Sequence, residues 1–398
     1  MWTLQNNPIA KIESNIKKST KISLSSLCCF RIIFSLFTIV FSWHRYTWLE
    51  DVPDAFFDPP LLSLASLLNA FPPKPFFQSL DLAIGLCSIT LLLGLFTQLS
   101  TRLLLTMLII GSTFQYSLGK IDHGDALYLS TLFAMCFQDW GSLLSVDALY
   151  KKSHSAHGHK IVSHKTVDLS FLAILIAFGF LTAGLGKALN WIDLDLTTNG
   201  FLSWFYDGYF NQGRDRLLAP FVLKINAPLL WEIIDTSAVI FELGALIAIL
   251  SRRRWYAWLT IACIFHLANC LLLNIDFEMN AIVYLAFIPW AELPIIGTTI
   301  KRIICQPKQL KWLLAGFTTF GTAAFICRQQ LPYTKLPLLE TIGIQDKLLV
   351  SCGIWTSALF LFLLSFKTYI SFSTQPIIQQ SHSISPVTAY STANVAKR

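Results

Sequence analysis

The chain has 398 residues, of which 54% are hydrophobic and 13% charged, with a formal net charge of +7 and a mean hydropathy of +0.56. Soluble domains carry about 25% charged residues, so a soluble globular fold is excluded, and repeated apolar runs of about 18 residues or more point to membrane-spanning helices. Strict alternation is absent, which argues against a β-barrel. The basic residues sit mostly in short loops, so the net charge reflects membrane topology and not nucleic-acid binding.

Residues 1–22 are polar and basic, and no signal-peptide cleavage pattern follows, so the first apolar run is expected to remain as a span. Spans are predicted at 24–43, 78–98, 102–119, 124–142, 167–187, 231–250, 254–274, 279–295, 311–327 and 347–370. The expected architecture is an all-α polytopic bundle of about ten transmembrane helices over residues 23–372. The tail 373–398 is rich in Ser, Thr and Gln and is expected to be disordered.

Basic residues recur in alternate loops: Lys11, Lys17, Lys18 and Lys21; Arg102; Lys151, Lys152, Lys160 and Lys165; Arg252, Arg253 and Arg254; Lys301, Arg302, Lys308 and Lys311. The opposite loops are acidic or mixed, with Asp122, Asp125, Asp193, Asp195, Asp207, Asp276 and Glu278 among them. The positive-inside bias therefore predicts that both termini are cytoplasmic. The nine cysteines are scattered and form no CxxC, which predicts apolar packing residues and neither a disulfide framework nor a zinc site. His154, His157, His159 and His164 crowd the loop 151–165. A solvated basic loop is the simpler reading, and no metal is predicted.

Ionisable groups inside spans are costly, so each marks a candidate site. The segment 169–191 reads LSFLAILIAFGFLTAGLGKALNW. On a helical wheel Gly179, Thr182, Ala183, Gly186 and Lys187 fall within an arc of about 140°. Small residues mark close helix approach, so Lys187 is expected to share a packed face at the outer end of its span. The alternative is a snorkelling anchor. His123, in the turn KIDHGD, opens the fourth span at nearly the same depth; the alternative is a solvated loop histidine. In the seventh span Cys263, His266, Asn269, Cys270 and Asn274 share one face, which should look into the bundle or a wet cavity. Plain interhelical hydrogen bonding is the competing reading. Arg31 and Glu242 lie at matching depths on the cytoplasmic side of the midplane, which predicts a buried structural ion pair. There is no P-loop, GxSxG or HExxH motif.

Three segments resemble the integral-membrane part of vitamin K-dependent γ-glutamyl carboxylase, which defines the horizontally transferred transmembrane (HTTM) family. They are HGDALYLSTLFAMCFQDWGSLLSVDAL (123–149), AGLGKALNW (183–191) and FHLANCLLLNIDF (265–277), with FRI (30–32) fitting the usual start. The resemblance runs over residues 23–295. It implies that Lys187 acts as the base towards a reduced vitamin K-type quinone and that His123 assists it. Asp122, Trp191, His266 and Asn269 are then expected to bind substrate or quinone. The chain departs from the carboxylase where Gly186 replaces a second basic residue, and where Asp122 replaces an amide before the matched histidine. It also carries no region resembling the carboxylase's large lumenal domain. The resulting expectation is a protein of the bacterial inner membrane with an outward-facing site, running carboxylase-like, quinone-linked chemistry on a secreted peptide or small molecule. The alternative is a non-enzymatic membrane partner in maturation, export or immunity of a secreted peptide.

Overall fold

The structure, a computed structural model, describes residues 7–42, 44–119, 123–154, 165–193, 195–330 and 346–373, with side chains described except at 123, 124, 154, 329, 330 and 367–373. Among the described residues it is all-α apart from one short ladder and an isolated bridge between Asp58 and Leu118. The helices are α1 (Pro8–Ser19), α2 (Leu24–Val40), α3 (Lys74–Leu93), α4 (Thr97–Gln115), α5 (His123–Met135), α6 (Val146–His154), α7 (Ser170–Trp191), α8 (Gly200–Tyr206), α9 (Ala219–Val222), α10 (Pro228–Ala248), α11 (Arg252–Ala268), α12 (Glu278–Tyr284), α13 (Pro294–Cys305), α14 (Pro307–Gln330) and α15 (Lys347–Ser373). Among the described residues, five segments are long and apolar enough to cross a membrane: Lys74–Leu93, Ser170–Trp191, Arg252–Leu273, Pro307–Arg328 and Lys347–Phe366. Leu24–Val40, Asp125–Met135 and Glu278–Phe287 are apolar but shorter. α10 has the length, at 21 residues, but carries Glu232, Asp235 and Glu242.

The basic N-terminal segment is itself structured. Asn7 caps α1 by accepting from the Ile9 amide, Pro8 opens the first turn, and Lys17 and Lys18 close the last, where cations suit the helix dipole. Ile16 and Ser19 are buried, and the Ser19 hydroxyl donates to the Ile249 carbonyl at the end of α10. After α1, strand β1 (Lys21–Ser23) pairs antiparallel with β2 (Thr166–Asp168), with Lys21 opposite Asp168 and Ser23 opposite Thr166. Each strand runs directly into a helix, α2 and α7. The ladder therefore brings the N-termini of these two helices to the same end of the bundle.

α2 packs on α3, α3 on α4 and α14, α7 on α10, and α11 and α12 on α15. α3 ends at Gly94, whose φ of +65° places it in the left-handed region. A Cβ there would stand 2.4 Å from the Ser145 Cβ and 2.9 Å from the Arg31 Cζ, so only glycine fits. Among the described residues, π-turns interrupt the helical order at Asp207–Asn211 and at Asn269–Leu273. Such turns loosen the helical ladder and frequently border functional sites.

Candidate functional site

The Lys187 ammonium donates to Oε1 of Glu242, joining α7 to α10. The Lys187 side chain is 24% exposed and the Glu242 side chain 3%. The Trp191 ring, one turn beyond Lys187, lies 5.3 Å from the ammonium, measured to its centroid, within range of a cation–π contact. Glu242 leaves its second oxygen, Oε2, buried without a hydrogen-bond partner. Gly184 permits the approach: a Cβ on it would stand 3.0 Å from both the Glu242 Cβ and the Leu243 Cδ2.

The packed face of α7 differs from the expected one. Leu172, Ala173, Ile176, Ala177, Phe180 and Gly184 are buried, whereas Gly179, Thr182, Ala183 and Gly186 are exposed. A Cβ at Gly179 or Gly186 would meet nothing within 4 Å. Small residues tolerate close approach but do not compel it, and here the larger apolar side chains bury more surface. Lys187 falls on the buried face with Phe180 and Gly184, not on the small-residue face.

The expected pairing of Arg31 with Glu242 is not what the structure contains. Arg31 is fully buried and donates to the carbonyls of Leu91 at 2.5 Å and Leu92 at 2.8 Å, and to that of Leu144 at 2.6 Å. The last carbonyls of a helix lack intrahelical donors, and a guanidinium with five N–H groups can serve several of them at once. Arg31 is thus the cap of α3. Glu242 is free for Lys187 because α7 and α10 are not level. Asp235, well beyond the end of α7, accepts the Gly200 and Phe201 amides at 2.8 and 2.9 Å and so seats α8 on the same side of α10. Phe201 stacks on Trp231 with centroids 5.4 Å apart, and Trp191 packs against Gly200, where a Cβ would lie 2.3 Å from its ring. α10 overhangs α7, so a residue late in α7 meets one past the middle of α10.

His266 is buried on α11. Its Nε2 lies 3.0 Å from the Tyr284 hydroxyl, and its ring stacks on Trp355 of α15 at 4.5 Å between centroids. Phe277 and Phe180 close the surround at 5.3 and 6.1 Å. His266 Nδ1 has no hydrogen-bond partner. The predicted polar stripe divides at the π-turn. Asn269 is half-buried, and its carbonyl accepts from the Asn274 and Ile275 amides. Cys270 meets Cys352 of α15. Asn274 accepts the Arg216 amide at 2.8 Å and donates to the Arg216 carbonyl at 3.1 Å.

Asp122 and the His123 side chain lie outside the described residues, as do His157, His159 and His164 and the tail from 374 onward. Two residues after His123, Asp125 is buried and faces His44 Nε2 at 3.3 Å, while the Tyr116 hydroxyl donates to it at 3.3 Å. His44 Nδ1 lies 2.8 Å from the Ser42 carbonyl. Both ring nitrogens of His44 thus lie beside oxygen atoms. A second ionic group opens α15: Lys347 reaches Asp276 at 2.6 Å and Glu278 at 2.8 Å. The carbonyl of Asp276 accepts from Ser351 and from the Trp355 indole at 2.7 and 2.9 Å. His44, Asp125, Tyr284, Trp355 and Lys347 were not singled out in the sequence. An acid two residues after the candidate His123 was the only visible signal among them.

The arrangement can move protons. Transfer of one proton along the Lys187–Glu242 bond would convert an ion pair into an amine and a carboxylic acid, both neutral. Surface hollows lie elsewhere. One of about 280 Å³ is lined by Phe133, Phe137, Asp168 and Phe171, and one of about 320 Å³ by Asp58, Pro59, Pro60, Leu61, Tyr116 and Gly119. Neither includes Lys187, Glu242 or His266. The Lys187 side chain keeps 24% of its surface exposed. Compared with known proteins, the chain matches no family model, no curated protein and no solved structure.

Proposed function

We propose that the chain is an HTTM-type protein of a bacterial inner membrane, crossing it about ten times with both termini cytoplasmic. On this reading Lys187 and Glu242 form a proton-transfer pair acting on a hydroquinone of the vitamin K class. The observation that carries it is the Lys187–Glu242 hydrogen bond itself, with Trp191 against the ammonium. Glu242 accepts the ammonium proton, and the freed amine removes a proton from the hydroquinone hydroxyl. The deprotonated ring is then competent for carboxylase-like chemistry with oxygen on a secreted peptide or small molecule. Trp191 offers an aromatic face to the ring, and His123, with Asp122 beside it, assists from the start of α5. His266 and Asn269 belong to the wall next to the pair. Support for the topology comes from the β1–β2 ladder, which starts α2 and α7 at one end, as an even number of crossings between them requires.

The test is mass spectrometry of the full-length protein purified in mild detergent. A bound quinone in the native protein, lost in Lys187→Ala while folding survives, is the expected result. Equal quinone content in Lys187→Ala would overturn the reading.

A second reading has its own observation. The connection between α2 and α3 exposes Leu61, Leu62 and Leu67 at 91, 95 and 80%. Such an apolar surface suits a membrane partner in maturation, export or immunity of a secreted peptide. It predicts a co-purifying peptide whose retention survives Lys187→Arg but not Leu61→Ser with Leu62→Ser.

A further inference from the structure

Cys270, in the π-turn after α11, and Cys352, in the second turn of α15, bring their sulfurs to 3.1 Å. Both are free thiols; Cys270 is fully buried and Cys352 half-buried. A disulfide holds its sulfurs about 2.05 Å apart, so closure requires a movement of about 1 Å. The backbone around Cys270 can supply it, because a π-turn is already a departure from the regular ladder. The two helices are also held in register beside the sulfurs. His266, one turn before Cys270, stacks on Trp355, one turn after Cys352. Nothing in the proton chemistry of Lys187 and Glu242 uses this pair.

We infer that Cys270 and Cys352 are a dithiol–disulfide couple, oxidised by a quinone dissolved in the bilayer. Two S–H bonds break and one S–S bond forms. The two protons and two electrons released convert the quinone carbonyls to the hydroxyls of a hydroquinone. The choice of oxidant follows from where the thiols lie. Both are inside segments apolar enough to cross a membrane, Arg252–Leu273 and Lys347–Phe366. A charged, water-soluble disulfide is excluded from such surroundings, whereas a flat apolar acceptor partitions into them. The disulfide ties the π-turn to α15 and so locks the His266–Trp355 stack. The thiol couple stands on its own geometry; only the link from its product to the Lys187 site rests on the function proposed above.

The experiment uses the full-length protein in lipid nanodiscs, reduced, freed of oxygen and then given a short-chain benzoquinone. Free thiols are trapped with N-ethylmaleimide in denaturant and mapped by peptide mass. The expected result is a Cys270–Cys352 cross-linked peptide with one hydroquinone formed per cross-link, unchanged in Lys187→Ala and lost in both Cys352→Ser and Cys352→Ala. Persistence of Lys187→Ala reactivity separates this couple from the Lys187 reading, since that variant disables only the latter. Full alkylation of Cys270 and Cys352 after quinone treatment would overturn the proposal. So would a cross-link that forms with the thiol oxidant diamide but not with the quinone.

Discussion

Gly184 of α7 lies so close to Glu242 of α10 that a methyl group on the glycine would stand 3.0 Å from the glutamate Cβ. The helix approach and the Lys187–Glu242 bond are therefore one feature. Gly184→Ala asks the neighbours to give by a few tenths of an ångström. Gly184→Leu forces α7 away from α10 at a cost of about 1–3 kcal/mol. The expected outcome is a graded loss of thermal stability in detergent, Leu worse than Ala, accompanied by loss of any quinone that the native protein retains. Equal melting of all three proteins would show that the helices do not meet here.

Removing one partner of the pair leaves the other buried and charged. Lys187→Met strands Glu242, at an expected cost of about 3–5 kcal/mol. The double variant Lys187→Met with Glu242→Leu should recover most of that, because no charge is left behind. Melting curves of the two proteins make the comparison, and a double variant no more stable than Lys187→Met would contradict the pairing.

Arg31 makes a contrasting case. Arg31→Met leaves the carbonyls of Leu91, Leu92 and Leu144 without their donor, and each buried unsatisfied group costs about 1–3 kcal/mol. Reversing Arg31 and Glu242 together should not rescue folding, since neither touches the other's partners. Reversing Lys187 and Glu242 together should rescue it in part. Expression level in membranes reads both swaps.

The polar pair Arg216–Asp346 gives a pH dependence. Hydrogen bonding to the Arg216 guanidinium holds the Asp346 carboxyl below its ordinary value of 3.8. A lowered folded-state value means the contribution is fully present above the ordinary value and is lost as pH falls through the folded one. Asp346→Asn should therefore loosen the start of α15 at neutral pH and change nothing once the native carboxyl is protonated. Amide hydrogen exchange of residues 347–352, followed from pH 7 down to about pH 1, below both carboxyl values, checks this. A difference that persists at the lower pH would point to some other cause.

How much of this was readable in the chain depends on the kind of signal. Lys187 and His266 announced themselves as polar groups in apolar runs; His266 is buried, and Lys187 is part-buried against Glu242. Their partners did not. Depth along each helix suggested Arg31 for Glu242, but that estimate treats neighbouring helices as level, and α10 overhangs α7. Arg31 satisfies backbone carbonyls, which every residue possesses and no sequence pattern marks. Tyr284 and Trp355 look like ordinary core aromatics until a histidine is found against them. The small residues of α7 pointed to a helix contact, yet of its three glycines Gly184 makes the close one while Gly179 and Gly186 meet nothing. The thiols of Cys270 and Cys352 are 82 residues apart, a separation at which spacing carries no information.

The short ladder between β1 and β2 also bears on the order in which the chain can assemble. The Thr20 hydroxyl donates to the Asp168 carboxylate, across 148 residues of sequence. At about 5–20 residues per second of synthesis, the strand before α2 waits roughly seven to thirty seconds for its mate to emerge from the ribosome. Four apolar helices are made in that interval, α2 to α5, with one end of the first still unfastened. Closing the ladder is thus a timing event: the first half of the protein becomes anchored only when translation reaches the threshold of α7, the helix that carries Lys187.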